Sequence, residues 1–301
     1  MSAASPFFPK LSRPVAEWVP LAPHTTWRIG GPARWLVFPS TVQEMSHLVQ
    51  NLAGEIPWLL LGGGSNVLID DAGFQGVVMD LAPGMNQIRM TDPWTIAAEA
   101  GVSTRTLAHF ARRHGLTGAE FLAGIPGSVG GALRMNAGAY GGDMRQILQH
   151  AQVMDPTGQC HDRTPQELAM SYRRTQLPSG WFFVSGHFRL QPGDPERIRH
   201  TMRDFNQRRR HSQPLQYPSA GSVFCNPATG PGAWQLIDAV GLRGVRQGGA
   251  QVAEKHCNFI LNRGGARSGD ILTLIDLIRE KVLKKSHVGL ELEVRIVSPN
   301  G

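Results

Sequence analysis

The sequence predicts an α+β protein with more than one domain. Strand-like apolar runs alternate with amphipathic helical segments, and glycine-rich stretches without either periodicity interrupt them. The length of 301 residues favours two domains. A content of 41% hydrophobic and 18% charged residues is typical of a folded globular protein.

The first α/β segment begins with a short strand from Trp35 to Phe38. A helix follows, because Thr41 and Glu44 have the spacing of a capping box. Its apolar residues recur at helical intervals, namely Val42, Met45, Leu48, Val49 and Leu52. The strands predicted next are Trp58 to Leu61, Val67 to Ile69 and Val77 to Leu81.

A second segment starts with a strand from Thr95 to Ala100. We expect Ser103 to cap the next helix and Gly115 to end it. The apolar residues predicted for this helix are Leu107, Phe110 and Ala111, and later strands are predicted for Ala151 to Met154 and Phe182 to Leu190.

Helices dominate the last third of the chain. The first runs from Pro195 to Arg210, a second ends before Gly241, and Ser268 is predicted to cap a third. The apolar stripe of the third helix is Ile271, Leu274, Ile275, Ile278 and Val282. A closing strand is predicted from Gly289 to Val297.

Two glycine-rich loops point to a large phosphorylated ligand. They read LGGGSNVLI from Leu61 and AGIPGSVGGALRMNAGA from Ala123. Glycine lets another molecule approach the main chain, so that successive N–H groups line a concavity for an anion. The alternative is two tight structural turns. Neither loop matches GxxxxGK[ST], and neither is a strand followed by GxGxxG opening a helix.

Charge and cysteine content narrow the class of protein. A formal net charge of +7 is compatible with nucleic-acid binding, but the basic residues are spread out, which favours an enzyme with polyanionic ligands. Cys160, Cys225 and Cys257 form neither a disulfide framework nor a zinc motif. The N-terminus has no signal-like run and no stretch is long enough to span a membrane, so we expect a cytoplasmic protein.

Motifs along nearly the whole chain resemble the MurB family of UDP-N-acetylenolpyruvoylglucosamine reductases. They are TTWRIGGPA at Thr25, LGGGSNVLI at Leu61, GAEFLAGIPGSVGGALRMNAGAYG at Gly118, SYRRTQ at Ser171, QPLQYPSAGSVFCNP at Gln213, GGAQVAEKHCNFILN at Gly248 and LELEVRIV at Leu290. Because QPLQYPSAGSVF has no insertion, the chain resembles the shorter subclass, which lacks an extra tyrosine-bearing loop.

The resemblance implies a two-part FAD-binding fold of the vanillyl-alcohol-oxidase (PCMH) type followed by an α/β substrate-binding domain. The domains expected are a leader over 1–24, an FAD-binding region over 25–195 that divides near 83–93, and a substrate-binding domain over 196–301. The last strand of that domain is expected to return to the FAD-binding region.

The implied activity is that of a UDP-N-acetylmuramate dehydrogenase in peptidoglycan synthesis, a cytoplasmic step of cell wall biogenesis on which cell shape and division depend. It uses non-covalent FAD and NADPH to reduce UDP-N-acetylglucosamine enolpyruvate. The other expectations are a nucleotide-sugar substrate, no nucleic acid, no membrane, no metal and a monomer.

The resemblance assigns the two glycine loops to FAD. The residues implied are Gly62, Gly63, Gly64, Ser65, Asn66, Gly124, Pro126, Gly127, Ser128, Gly130, Gly131, Asn136 and Gly138.

Three residues match the catalytic positions of the family. Arg173 would polarise the substrate carboxylate, for which a guanidinium fork is suited. Arg174 is its rival from the residues alone. Ser222 would donate the proton to C2, although a turn serine bonded to its own backbone is the alternative. Glu293 would act while protonated or by orienting a donor, and its alternative is an exposed strand residue.

Contacts to the sugar and the diphosphate are implied for Tyr172, Gln213, Asn226 and Lys255. Cys225 departs from the family pattern, since many relatives have lysine there. The basic cluster Arg208 to Arg210 could replace that charge or form a solvated helix end. His256 is predicted to be a structural hydrogen-bonding residue rather than a metal ligand.

Two alternatives remain open at this stage. One is another FAD oxidoreductase of the same fold, acting on an alcohol or a lactone, for which His24, His109 and Cys160 are the residues considered for covalent flavin attachment. The other is a catalytically idle basic module that binds a nucleotide or nucleic acid.

Overall fold

The computed structural model describes Phe8, residues 11–52, Gly54 and residues 56–301. The chain forms two compact units, each assembled from separate stretches of sequence. The first unit contains the described residues up to Glu17 and those of Trp35–Gly63 and Gly76–Arg208. The second contains Trp18–Arg34, Gly64–Gln75 and Arg209–Gly301.

The helices and strands mix along the whole chain, as the α+β prediction requires. The helices are α1 (Val42–Leu52), α2 (Thr104–Arg113), α3 (Val129–Arg134), α4 (Met144–Ile147), α5 (Pro195–Ser212), α6 (Ala233–Ala239) and α7 (Ser268–Ser286). The strands are β1 (Ala16–Pro20), β2 (Pro32–Val37), β3 (Trp58–Leu61), β4 (Val67–Ile69), β5 (Phe74–Asp80), β6 (Ile88–Asp92), β7 (Thr95–Glu99), β8 (Leu116–Thr117), β9 (Gly138–Ala139), β10 (Gly142–Asp143), β11 (Leu148–Met154), β12 (Cys160–Arg163), β13 (Phe182–Arg189), β14 (Gln191–Pro192), β15 (Arg246–Gln247), β16 (Ala250–Val252), β17 (Ile260–Asn262) and β18 (Arg295–Val297).

An antiparallel five-stranded sheet, in the order β12-β11-β13-β7-β6, is the largest element of the first unit. Helix α3 packs against β13, its central strand. The predicted α2 forms because the Ser103 hydroxyl accepts a hydrogen bond from the Thr106 amide (3.0 Å) and Leu107 and Ala111 are buried. This packing fixes the N-terminal side of the second glycine stretch.

A four-stranded sheet has the order β1-β2-β5-β3, with β3 and β5 parallel. The predicted helix α1 carries its apolar stripe into a core of the first unit, with Met45, Leu48, Val49 and Leu52 buried. The Thr41 hydroxyl accepts from the Glu44 amide (3.1 Å), as the capping spacing predicted. The Glu44 carboxylate accepts from the amide of Ser40 (2.7 Å) rather than from that of Thr41.

The core of the second unit lies between helices α6 and α7 and the antiparallel sheet β15-β16-β17. The stripe predicted for α7 is buried along its whole length. Strand β18 pairs in parallel with β4, with Arg295 opposite Val67 and Val297 opposite Ile69. The C-terminal end of the chain is thereby joined to the segment that follows the first glycine loop.

Within the expected leader, Ala16–Pro20 forms β1 and Ala22–His24 forms a 3₁₀ turn, while residues 1–7, 9 and 10 lie outside the described part. Two sequence predictions were wrong in detail. Ser268 does not cap α7, because its amide and hydroxyl bind the Asp71 carboxylate (3.0 and 2.9 Å) and Arg267 occupies the cap. The closing strand covers only Arg295–Val297, preceded by a bend at Glu293 and Val294.

The predicted domain boundaries stay a prediction, and the division of the chain into two compact units is independent of them. Among the described residues, no helix is both long enough and apolar enough to cross a membrane.

Candidate active site

The turn at Gly62 and Gly63 of the first glycine loop lies against the second glycine loop in the first unit. A Cβ on Gly63 would stand 2.6 Å from the Cα of Gly127, and one on Gly62 would stand 2.2 Å from the Ser128 Oγ. Real Cβ atoms do not approach other atoms this closely, so the first turn can lie this near the second only because Gly62 and Gly63 have no side chain. The paired loops are therefore one feature of the fold rather than two separate turns.

Several amide groups of these loops are open to a ligand. Within the described ranges, the N–H groups of Gly62, Gly63, Gly127 and Ser128 have no hydrogen-bond acceptor. By contrast, the amide of Gly130 donates to the Ala100 carbonyl (2.9 Å). The donors available to an anion therefore belong to the two turns and not to helix α3, and they fit the diphosphate group of a dinucleotide.

Gly131 marks the open side of the same feature. A Cβ there would meet only the Ser128 Oγ, at an ordinary 3.6 Å, and the residue is exposed. At Gly130 a Cβ would stand 2.8 Å from the Cβ of Ala100. The packing of the protein explains the absence of a side chain at Gly130, whereas a closely approaching ligand would explain it at Gly131.

Other residues predicted to bind FAD have contacts within the protein. The Asn66 amide Nδ2 donates to the Glu293 carbonyl oxygen (2.9 Å) in the second unit. Gly138 lies at the β9–β10 hairpin, where its position is crowded by Gly142. Of the rest, Gly64 and Gly124 are buried, Ser65 is half-buried and Pro126 is exposed.

Arg173 lies at the third position of a tight turn in the first unit. The turn is closed by two hydrogen bonds, from the Arg174 amide to the Ser171 carbonyl (3.1 Å) and from the Ser171 amide to the Arg174 carbonyl (2.9 Å). Arg173 has a φ of 53°, a left-handed conformation that costs a residue other than glycine about 1–2 kcal/mol. Backbone strain of this kind is often found at functional sites.

Asn136 fastens this turn to the second glycine stretch. Its Nδ2 donates to the Ser171 carbonyl (2.9 Å), and its Oδ1 accepts from the Arg145 amide (2.9 Å). The side chain is buried, at 2% exposure. Directly after the turn, the Thr175 hydroxyl donates a hydrogen bond to the Leu133 carbonyl (2.6 Å). The sequence assigned Asn136 to the cofactor, but its hydrogen bonds hold the loop that carries Arg173.

Ser222 and Glu293 lie on two neighbouring segments of the second unit. The Glu293 amide donates to the Val223 carbonyl (2.8 Å), and Phe224 forms a bridge with Leu292. The Ser222 hydroxyl makes no hydrogen bond to the described part of the chain. The alternative considered above, a turn serine that bonds its own backbone, therefore does not hold. Glu293 is half-buried at a bend instead of exposed on a strand.

Asn258 is a residue that the sequence analysis left without a role. It is buried, its Oδ1 accepts from the Phe224 amide (3.0 Å), and its Nδ2 donates to the Phe224 carbonyl (2.8 Å). It thereby fixes the segment two residues after Ser222. The sequence contained one signal for this role, an asparagine at the start of an apolar run. A side-chain amide buried with such a run needs hydrogen-bond partners.

The four predicted substrate residues differ in how they are held. In the first unit Tyr172 is 57% exposed, with the Arg173 guanidinium carbon 5.3 Å from its ring centroid. In the second unit the Gln213 Oε1 accepts from the Arg209 Nε (2.9 Å), and the Asn226 Oδ1 accepts from the Ala233 amide at the start of α6 (2.9 Å). The exposed Lys255 donates from its Nζ to the Arg210 carbonyl (2.6 Å).

His256 is not the structural hydrogen-bonding residue that the sequence predicted. Its Nδ1 is buried and has no partner within the described residues, and its ring packs against Phe259 at 4.9 Å. Burial lowers the pKa of His256, and the charge of Arg243 lowers it further. The ring is therefore neutral at pH 7.

Comparison with known proteins gives the class first. A family model described as FAD binding domain matches residues 33–163, which contain both glycine loops. Together with the α+β fold and the open amides, this match defines a protein that binds FAD, as the sequence predicted. A second model, UDP-N-acetylenolpyruvoylglucosamine reductase, C-terminal domain, matches residues 213–297.

Similar proteins give the family. The UDP-N-acetylenolpyruvoylglucosamine reductase of Magnetococcus marinus is 53% identical over 95% of this chain and 93% of its own length. That of Carboxydothermus hydrogenoformans is 42% identical over 96% and 95%. The crystal structure of the MurB enzyme from Thermus caldophilus has a TM-score of 0.79 and 37% identity, and the alignment covers 92% and 97% of the two chains. The chain belongs to the UDP-N-acetylenolpyruvoylglucosamine reductase family, and the resemblance seen in the sequence is confirmed.

Proposed function

We propose that this protein reduces UDP-N-acetylglucosamine enolpyruvate to UDP-N-acetylmuramate, with FAD as cofactor and NADPH as hydride donor, in the synthesis of peptidoglycan precursors. Family membership supports the reaction. The structural observation that carries the proposal is the unbonded Ser222 hydroxyl beside the segment of Glu293. Such a pair is useful to a reaction that must protonate a carbon atom.

Bound FAD would supply the hydride chemistry, the transfer of a hydride from NADPH to C3 of the enolpyruvyl double bond. The contacting turns of the two glycine loops would hold its diphosphate through the amides of Gly62, Gly63, Gly127 and Ser128. Backbone donors suit this task because they are fixed by the fold before the ligand arrives.

We assign to Arg173 the binding and polarisation of the substrate carboxylate. Hydride addition at C3 leaves negative charge on C2 and the carboxyl oxygens, and a guanidinium held in a closed turn stabilises that charge without moving. Arg174 is the less suitable candidate, since it is exposed whereas Arg173 is half-buried. Tyr172 next to Arg173 is exposed and free to contact the sugar.

We assign to Ser222 the donation of the proton that C2 receives. The O–H bond breaks as the C2–H bond forms, and the alkoxide left behind must regain a proton from solvent before the next cycle. We assign to Glu293 the stabilisation of the same developing charge. It would act while its carboxyl group is protonated, or by orienting a hydrogen-bond donor. Gln213, Asn226 and Lys255 are assigned to the sugar and the diphosphate.

Anaerobic stopped-flow absorbance tests the function directly. NADPH should bleach the oxidised flavin band, and UDP-N-acetylglucosamine enolpyruvate should then restore it. The Ser222→Ala variant should reduce its flavin at the normal rate and be slow only in the second step. Bleaching without recovery in the native protein would contradict the proposed substrate, and equal loss in both steps of the variant would contradict the role of Ser222.

The place of action follows from the substrate class. A nucleotide-sugar substrate and a pyridine nucleotide are both cytoplasmic metabolites, so we place the protein there as a monomer that binds neither nucleic acid nor membrane. Light scattering after size-exclusion chromatography should give a mass near 32.8 kDa. A mass of twice that value would contradict the monomer.

A further inference from the structure

The residue that follows the first glycine loop holds both ends of the bend at Glu293 and Val294. Asn66 donates from its side-chain Nδ2 to the Glu293 carbonyl oxygen (2.9 Å), and its own carbonyl accepts from the Arg295 amide (3.0 Å). One residue thereby contacts the peptide groups on either side of Val294. All of these residues belong to the second unit, so the contacts lie within one compact body.

The side chain of Asn66 replaces a main-chain donor. In a parallel ladder, a residue contacts positions i and i+2 of the neighbouring strand through its own N–H and C=O groups. Strands β4 and β18 pair in parallel from Val67, which lies opposite Arg295. One residue before that pair, the Nδ2 of Asn66 takes the place of its N–H. The N–H itself has no acceptor within the described residues, so the loop can offer it to a ligand while the side chain continues the pairing.

Ser222 lies on a segment that Asn258 holds separately. The Asn258 side chain accepts from the Phe224 amide (3.0 Å) and donates to the Phe224 carbonyl (2.8 Å), and its own carbonyl accepts from the Val223 amide (2.8 Å). The Glu293 amide meets this segment at the Val223 carbonyl (2.8 Å). A change on the opposite side of Glu293 would therefore leave the proton donor in place.

We propose that Asn66 is a positioning residue for Glu293 and acts on the reaction only through that carboxyl group. The inference rests on the role of Glu293 in the proposed function, and it gives a role to a side chain that the sequence assigned to FAD. A carboxyl group that stabilises a developing charge must be held in one position, since a displacement of about 1 Å can cost on the order of a hundredfold in rate. Asn66 is half-buried, so its side chain can be replaced without opening the core.

Anaerobic stopped-flow absorbance of the full chain saturated with FAD measures the kinetic effect. Asn66→Ala should reduce its flavin with NADPH at the native rate, and UDP-N-acetylglucosamine enolpyruvate should reoxidise it about ten- to a hundredfold more slowly. In the Glu293→Ala background the same substitution should cause no further slowing, because the group through which Asn66 acts is gone. Equal slowing in both backgrounds, or none in either, would overturn the proposal.

Amide hydrogen exchange, followed by nuclear magnetic resonance, tests the inference without any catalysis. The Glu293 amide should exchange about two- to tenfold faster in Asn66→Ala, the effect of losing one hydrogen bond that holds the bend. The Phe224 amide, which Asn258 holds, should exchange at the native rate. Bleaching without recovery in the native protein bears on the substrate alone, whereas unchanged exchange at Glu293 would overturn the positioning role.

Two further variants serve as controls. Asn86→Ala removes an exposed side-chain amide that donates to the Ala82 carbonyl (3.3 Å) in the first unit, and it should leave both half-reactions and the exchange at Glu293 unchanged. Asn66→Asp keeps the size of the side chain but turns a carboxylate oxygen towards the Glu293 carbonyl, so it should slow reoxidation at least as much as alanine.

Flavin content separates the two roles considered for Asn66. Asn66→Ala keeps the main-chain N–H and should retain FAD as the native protein does. If it instead loses FAD and is reoxidised at the native rate once FAD is supplied in excess, the side chain contacts the cofactor as the sequence predicted, and the proposal is wrong.

Discussion

The bond between Asn136 and the turn of Arg173 predicts that a residue without a ligand contact controls one half of the reaction. Replacing Asn136 by alanine removes the donor to the Ser171 carbonyl and the acceptor for the Arg145 amide. The turn would keep its own two hydrogen bonds but lose its attachment to the glycine stretch. Arg173 would then no longer be held in one position.

The cost in stability can be worked from these contacts. The Ser171 carbonyl keeps the Arg174 amide as a partner, so the lost bond is worth about 0.5–1.5 kcal/mol. The Arg145 amide loses its side-chain acceptor, at about 1–3 kcal/mol. Alanine at the φ of 40° of this position adds about 1–2 kcal/mol. The sum is about 2.5–6.5 kcal/mol, which leaves a domain of ordinary stability folded or nearly so.

The same variant should divide the two half-reactions. Flavin reduction by NADPH should keep its rate, because it does not need the substrate carboxylate to be held. Flavin reoxidation by the enolpyruvate should slow by about ten- to a hundredfold, which corresponds to about 1.4–2.8 kcal/mol of activation free energy. Anaerobic stopped-flow absorbance measures both rates on one sample, and denaturant titration measures the stability.

Two further variants make the result decisive. Thr41→Ala removes the N-cap of α1 in the same unit, at about 0.5–2 kcal/mol, and should leave both half-reactions unchanged. Asn136→Asp keeps the acceptor for Arg145 but turns a carboxylate oxygen towards the Ser171 carbonyl and the Asp143 carboxylate, so it should slow reoxidation at least as much as Asn136→Ala. If Asn136→Ala is destabilised as calculated but its flavin is reoxidised at the same rate as in Thr41→Ala, the positioning argument is refuted. If instead it loses FAD, Asn136 is the cofactor residue that the sequence predicted.

Three shorter predictions concern stability and flavin binding. Gly131→Ala should be at least as stable as the native protein but retain less FAD, whereas Gly130→Ala should be destabilised, as thermal melts and flavin content would show; equal flavin loss without any difference in stability would contradict this. Hydrogen bonds, chiefly from the Thr157 hydroxyl, hold the pKa of Asp155 well below its usual range, so its stabilisation is present at neutral pH and declines as the pH falls below about 4. The melting-temperature gap between the native protein and Asp155→Asn should therefore shrink gradually on acidification and still be largely present at pH 3, because the carboxyl stays ionised in the folded protein well below its usual pKa. A gap of the same size at pH 2 as at pH 7 would refute the assignment. Ser268→Ala should cost about 1–3 kcal/mol in denaturant titrations, because the carboxylate that its hydroxyl contacts loses a donor, and a loss as small as that of an exposed serine would count against it.

Local patterns predicted the helices well. The stripe of α7 and the cap and stripe of α2 follow from spacing alone, because a helix buries residues three and four positions apart whatever packs against them. The two glycine loops were found for the same reason, since the chemistry of an open backbone is local. The family and its cofactor also followed from short motifs.

Long-range contacts account for what the sequence did not predict. Ser268 has the residue type of a cap, but Asp71, 197 residues earlier, engages its amide and hydroxyl. Asn136 lies in a glycine stretch and was assigned to the cofactor with its neighbours, because the partner that uses its amide lies 35 residues further on. Periodicity and motif carry no information on such pairings, which only the folded chain reveals.

The pairing of β4 with β18 also constrains how the protein can be made. Asn66 and the Glu293 carbonyl that it binds are 227 residues apart, so a ribosome adding about 5–20 residues per second needs on the order of 10–45 s between them. During that interval the edge of β4 is a bare strand in a nascent chain. The hydrogen bond from Asn66 to the Glu293 carbonyl can form only after nearly all of the described chain has been synthesised. A C-terminal deletion that removes β18 would leave the edge of β4 permanently open to aggregation.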